Sequence, residues 1–352
     1  MSIAYGEEMV IQALDLEVRR GEMVALLGPS GSGKSTLIAA LAGFLPIASG
    51  EIRIDGRTVA GVGRNEPPER RGVAVVFQGY ALWPHLSALE TVAYPIRRSG
   101  VASSEARRRA GEILEQLGIS ALADRRPAEL SGGEQQRVGL GRALAREAGL
   151  YLFDEPTAHL DTALRDHLQA EIAEQRRRSG AAAIYATHDT AEALGLADRV
   201  VLLRGGRIIQ DGTPSAVYER PINAWAAKLT GPAATIPVCV VDLLNGRGAV
   251  EIAGVRQQVA IGTAQPLTPG EAAAVVRPDW VQFGGDIPAR LDAVAFRGTH
   301  TDYLTRTTAG QIGVRVPGPP TLHPGESVGL TIERLWIPAR HAGERERESA
   351  NL

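Results

Sequence analysis

Eight consecutive residues, Gly28-Pro29-Ser30-Gly31-Ser32-Gly33-Lys34-Ser35, have the types and spacing of a phosphate cradle. Glycines let backbone N–H groups turn inward around phosphate oxygens, and a helix starting here adds the partial positive charge of its N-terminus. In this pattern Lys34 pairs with β- and γ-phosphates and the Ser35 hydroxyl ligates Mg²⁺. Thr36 is the last residue expected at the nucleotide. A Gly-rich loop without chemistry is the alternative. The setting disfavours it, because the apolar run Met23–Leu27 precedes the loop and a helix through Leu37–Leu41 follows.

Asp154 and Glu155 end a second apolar run, Leu150–Phe153. At a strand end in an α/β sheet, where ligands gather, Asp154 would hold Mg²⁺ and Glu155 would deprotonate the attacking water. Taken alone, the two acids before Pro156 could simply open a solvent-exposed turn. Ser131-Gly132-Gly133-Glu134 is first a capping box, Ser-x-x-Glu at a helix start. It is equally an anion site, because bare glycine backbone at a helix N-terminus can grip a phosphate. Gln78 and His188 each follow a strand and, by themselves, read as ordinary strand-end polar residues. Tyr5, near the terminus, reads as partly buried packing.

The elements that must position these residues follow from periodicity. Residues 10–27, 72–77, 150–153 and 182–186 read as strands; the Met23–Leu27 end of the first and all of the last three read as buried runs. Glu51–Ile54 ahead of Asp55-Gly56 predicts a hairpin, and so does Val200–Leu203 with Arg207–Ile209 around Arg204-Gly205-Gly206. From about 87 to 149 the pattern is helical. Strands alternating with helices predict an α/β fold over 1–230, with a helical subdomain at about 87–149. From 231 to 340 short alternating stretches rich in Gly and Pro predict an all-β, barrel-like domain. The Glu/Arg tail 341–352 reads as disordered. Arg107–Arg109 and Arg176–Arg178 read as solvated helix faces.

Composition narrows the classes. The chain has 352 residues and a net charge of −2, which leaves no basic footprint for nucleic acid. Its only lysines are Lys34 and Lys228, so a lysine in the phosphate loop is the more telling. A single cysteine, Cys239, excludes an internal disulfide and fits a reducing compartment. No apolar run approaches the ~20 residues of a membrane span, and the first residues lack the regions of a secretory signal. Service to a membrane would therefore require partners.

With Leu130-Ser-Gly-Gly-Glu-Gln-Gln-Arg137 placed between the phosphate loop and Leu150–Glu155, the first 230 residues resemble the ATP-binding cassette family. The resemblance implies a P-loop NTPase (RecA-like) core, with ATP and Mg²⁺ at its site. It implies that Gln78 senses Mg²⁺ and the γ-phosphate, that His188 contacts the γ-phosphate, and that Tyr5 stacks on adenine. It also implies a head-to-tail dimer in which Ser131, Gly132, Gly133 and Glu134 complete the site of a second copy.

Arg277-Pro278-Asp279, Phe296-Arg297-Gly298 and Val328–Ile332 before Trp336 resemble the oligonucleotide-fold-like (TOBE) regulatory domain of bacterial import cassettes. This implies an ATPase on the cytoplasmic face of the inner membrane, working through separate permease subunits and, indirectly, a solute-binding protein. The branch carries ferric iron, 2-aminoethylphosphonate, polyamine or sugar. An exporter ATPase and a non-transport ATPase are the alternatives. The apolar segment Tyr80–His85 lies where the family receives a helix of the permease, or it is ordinary packing.

Two departures stand out. Ala158 replaces the family's usual Ser, while Asp161 is retained. Only four residues precede Tyr5, where the family places another strand, so either the start is misassigned or the sheet edge is truncated.

Overall fold

The computed structural model describes residues 1–77, 79–158, 162–243 and 246–339. The chain divides into two compact units, Met1–Pro214 and Ser215–Leu352.

In the first unit, β1 (Ile3–Tyr5) pairs antiparallel with β2 (Glu8–Ile11). Then come β3 (Met23–Leu27), α1 (Lys34–Ala42), and a small sheet of β4 (Glu51–Ile54), β5 (Arg57–Gly61) and β6 (Arg64–Asn65). The expected turn between β4 and β5 is present, with Asp55 and Gly56 at φ 49° and 74°. β7 (Val73–Val76) leads into α2 (Ala88–Arg98), α3 (Ser103–Gln116) and α4 (Gly132–Leu144), the helical region foreseen from periodicity. β8 (Leu150–Asp154), α5 (Thr162–Ser179), β9 (Ala182–Thr187), α6 (Thr190–Leu196), β10 (Arg199–Arg204) and β11 (Arg207–Gly212) complete it.

The central sheet runs β11-β10-β3-β9-β8-β7, parallel except for the β10–β11 hairpin. β3, β8 and β9 are buried throughout, because both faces are covered. Alternation still decides which layer each residue feeds. Val24, Leu26, Leu152 and Ile184 pack with Leu37 and Ile38 of α1. Met23, Tyr151, Phe153 and Tyr185 pack with α2, α3 and α4. Arg107, Arg108 and Arg109 are exposed on α3, and Arg108 and Arg109 pair with Glu105 one turn away. Of the second arginine run, Arg177 is exposed, while the side chains of Arg176 and Arg178 lie outside the described residues. Among the described residues no helix is long and apolar enough to cross a membrane.

The second unit opens with α7 (Pro214–Glu219, its first residue belonging to the unit before) and α8 (Ala224–Leu229), ahead of the change in sequence texture at about Thr230. β12 (Ala234–Val240), β13 (Arg247–Ile252), β14 (Val255–Thr263), β15 (Gly270–Val276) and β20 (Arg334–Ile337) close into a barrel in the order β12-β13-β14-β20-β15. β16 (Val281–Phe296), β17 (His300–Thr307), β18 (Gly310–Pro317) and β19 (Ser327–Ile332) form a four-stranded sheet, and the inward residues of barrel and sheet share one apolar core. Arg277 is wholly buried here. Its guanidinium donates to the carbonyls of Tyr218, Ala227 and Pro232 and to Thr230 Oγ1, and lies 3.8 Å from the Tyr218 ring centroid. Those bonds bind α7 and α8 to the barrel. The tail from 341, expected to be disordered, lies outside the described residues.

Candidate active site

The phosphate loop joins β3 to α1, as its sequence requires. Gly33 sits at φ 103°, and a Cβ there would meet Ile11 Cδ1 at 2.6 Å. At Gly28 a Cβ would lie 2.3 Å from the Leu203 carbonyl and 2.7 Å from Ser32 Oγ. Only glycine fits these two places, so the loop can close tightly and present its backbone amides at the start of α1. A cleft of about 560 Å³ opens over it, lined by Val10, Ser30, Lys34 and Ser35 from one side and by Glu155, Ala158 and His188 from the other.

Lys34 is buried and donates to the Gly28 and Pro29 carbonyls at 2.7 and 3.1 Å. Burial pushes its amine down from the ordinary lysine range, while the nearby charges of Glu155 and Asp154 push it back up. Ser35 Oγ donates to Asp154 Oδ1 at 3.0 Å. Burial also raises the Asp154 carboxyl; Glu155 adds to the rise, whereas the Ser35 hydrogen bond and Lys34 oppose it. The Ser35 hydroxyl and the Asp154 carboxylate, 3.0 Å apart, are the hard oxygen donors that a small hard cation takes. Mg²⁺ takes one or two protein oxygens and fills its remaining positions with phosphate and water.

Strand pairing brings the two polar ends together. Asp154 of β8 is in register with Ala186 of β9, so Glu155 and His188 emerge side by side, with His188 Nδ1 3.1 Å from Glu155 Oε1. Glu155 has φ 49°, a left-handed conformation costing a side-chain-bearing residue about 1–3 kcal/mol. Its surroundings hold it there. Its N–H donates to the Ala186 carbonyl at 3.0 Å, and Gln136 Nε2 reaches its carbonyl at 3.5 Å while also donating to the Pro156 carbonyl.

Gln136, buried on α4, was not singled out from sequence. The position was visible within the Leu130–Arg137 octet, but its partners are defined only by the fold. Arg142, further along α4, donates to the Tyr80 and Ala81 carbonyls. Both of these residues have positive φ, and Arg142 also lies over the Trp83 ring at 5.3 Å. Trp83 is only partly buried and packs against Tyr94 at 4.8 Å.

The structure thus gathers Ser30, Gly31, Gly33, Lys34, Ser35, Thr36, Asp154, Glu155 and His188 around one site. Two predicted sets stand apart from it. Ser131 caps α4 as foreseen: Ser131 N donates to Glu134 Oε2 at 2.7 Å, and Ser131 Oγ accepts from Glu134 N. Ser131 and Gly132 are exposed, however, and none of 131–134 lines the cleft. Tyr5 is 52% exposed and also absent from the lining, where Val10 appears instead. Gln78 and Asp161 lie outside the described residues.

Comparison with known proteins agrees with this geometry. The ABC transporter family profile matches residues 11–158, and the TOBE domain profile matches residues 274–336. The chain is 40% identical over 317 residues to the Fe(3+) ions import ATP-binding protein FbpC of Brucella abortus, covering 89% of this chain and 88% of that protein. It is 41% identical over 345 residues to the sn-glycerol-3-phosphate import ATP-binding protein UgpC 1 of Rhizobium johnstonii, covering 94% and 89%. Among solved structures, a dimeric ATP-binding cassette in a post-hydrolysis state with ADP and Pi aligns with a TM-score of 0.56 and 30% identity, over 60% of this chain and 95% of that one. The chain belongs to the ABC transporter family, as an ATP-binding ATPase of the bacterial importer type that carries a TOBE domain.

Proposed function

We propose that this importer ATPase cleaves ATP in the cleft between the phosphate loop and Glu155, as one of two copies that face each other head to tail. The observation that carries the reading is the convergence of Lys34, Ser35, Asp154, Glu155 and His188 on one cleft. Lys34, now bonded to carbonyls of its own loop, turns to the β- and γ-phosphates. Ser35 and Asp154 hold Mg²⁺, which when bound neutralises phosphate charge. Glu155 takes the proton of the attacking water, and His188 holds the Glu155 carboxylate in place at 3.1 Å.

Two features support the second copy. The anion-binding start of α4 is exposed, away from the cleft of its own chain, and a structural relative is dimeric. In such a pair Ser131–Gly133 of each copy closes on the γ-phosphate of the other, so bound ATP joins the copies and its cleavage releases them. Permease subunits at the cytoplasmic face convert that cycle into alternating access, a ligand-driven shift of populations. The Tyr80–His85 segment, clamped by Arg142, is their docking place.

Relatives of nearly equal identity are named for Fe(3+), sn-glycerol-3-phosphate and lactose, so cargo is read by other subunits. Ferric iron is the cargo to assay first, followed by 2-aminoethylphosphonate and polyamine.

Glu155→Gln tests the chemistry. It should bind ATP like the parent and lose about 10²–10⁴-fold in turnover, accumulating as an ATP-bound dimer on a sizing column. Parental turnover would remove Glu155 from the mechanism.

A further inference from the structure

A second, smaller cavity of about 40 Å³ shares Glu155, Ala158 and His188 with the nucleotide cleft. Its remaining walls are Arg165, Thr187, Asp189 and Glu192, and no residue of the phosphate loop reaches it. Glu192 of α6 is only 6% exposed there.

Hydroxyls from three places meet its carboxylate. Thr157 Oγ1 donates to one oxygen; Thr187 Oγ1 donates to the other at 2.7 Å, where Tyr185 OH also approaches to 3.3 Å. Tyr185 OH lies 3.0 Å from Thr157 Oγ1 as well. Burial, aided by the charge of Glu192, pushes the Tyr185 hydroxyl far above its usual range, so it remains a donor. Arg165 of α5 adds ion pairs to Glu192 at 3.7 Å and to Asp189 at 3.4 Å.

The placement of these donors matters more than their number. Thr157 follows Glu155 by two residues, and Thr187 immediately precedes His188. Thr187 Oγ1 also accepts the Asp189 N–H at 2.9 Å, so its own proton goes to Glu192 and the backbone on both sides of His188 is held. A carboxylate accepts at both oxygens, and no neutral side chain does. Glutamine keeps one acceptor oxygen and turns the other into an NH₂ donor, so at least one hydroxyl that now donates to the carboxylate must reverse its hydrogen bond.

We propose that Glu192 is a positioning residue for hydrolysis, its carboxylate locking the segment after Glu155 to the segment before His188. The two residues thereby meet at the cleft in the geometry that activates water. The inference rests on the roles given above to Glu155 and His188.

Steady-state ATPase kinetics of the full chain test it, with Glu192→Gln, Thr157→Val and Glu155→Gln measured beside the parent. Glu192→Gln should lose about 10- to 100-fold in kcat, with the KM for ATP unchanged. Thr157→Val, a milder cut in the same linkage, should lose about fivefold in kcat. The variant combining Glu192→Gln with Thr157→Val should lose no more than Glu192→Gln alone. Parental kcat in Glu192→Gln, losses that multiply in the double variant, or a rise in KM that accounts for the loss would each overturn the proposal. Should Glu192→Gln not fold, parental kcat in Thr157→Val overturns it equally. If Glu155→Gln abolishes turnover while Glu192→Gln keeps it, only this inference fails. If Glu155→Gln itself turns over normally, the ATPase reading fails first.

Discussion

Each unit buries at least one cation, and Lys34 and Arg277 are held in opposite ways. Lys34, in the nucleotide unit, hydrogen-bonds to two carbonyls of its own loop and stands in an open cleft near the carboxylates of Asp154 and Glu155. Arg277, in the β unit, donates to carbonyls of Tyr218, Ala227 and Pro232 and to a hydroxyl, under a covering aromatic ring. Burial pushes both side chains below their ordinary range, so neither site favours its charge by solvation. Burial alone therefore does not mark a functional cation. Lys34 can exchange its partners for phosphate oxygens without moving an element, whereas Arg277 could release its partners only by freeing α7 and α8.

The comparison predicts two different failures. Lys34→Met should lose ATP binding and at least about 10²-fold in kcat/KM, with little change in thermal midpoint, since only local carbonyls lose a donor. A fall in the midpoint as large as that of an Arg277 variant would blur the distinction. Arg277→Met should do the reverse. Orphaning several buried acceptors costs about 1–3 kcal/mol apiece, so thermal unfolding of the full chain should shift several degrees lower while kcat of the folded protein stays within about twofold. A normal melt with lost turnover would mean that the β unit's arginine acts on catalysis.

What the sequence disclosed follows the same division. The phosphate loop is eight adjacent residues whose meaning is local, so Gly28, Gly33, Lys34 and Ser35 were legible before any fold was known. The buried strands were legible as unbroken apolar runs, because a sheet covered on both faces demands them. The partners of Gln136, Thr157, Thr187 and Glu192 were not legible. Each is an ordinary polar residue until β8 pairs beside β9 and α4 and α6 pack nearby, and a carboxylate that serves two loops has no local pattern.

The helices α7 and α8 read with the first region because the Gly- and Pro-rich alternating texture begins only after about residue 230. Contacts far apart in sequence tie them to the barrel: Arg277 reaches Tyr218 and Ala227, Arg334 pairs with Glu219, and Ala227 packs with Val275 and Trp336. Tyr5 was assigned by order along the chain; it stands half-exposed on β1 and is not among the residues that line the cleft.

The central claim is that one chain holds an incomplete site, since Ser131–Gly133 lie outside the cleft they are meant to close. Specific ATPase activity measured across a dilution series, with sizing in parallel, tests it most directly. Turnover per chain should fall as protein is diluted and recover when copies pair around ATP. Constant turnover per chain down to concentrations at which only monomer elutes would contradict the account.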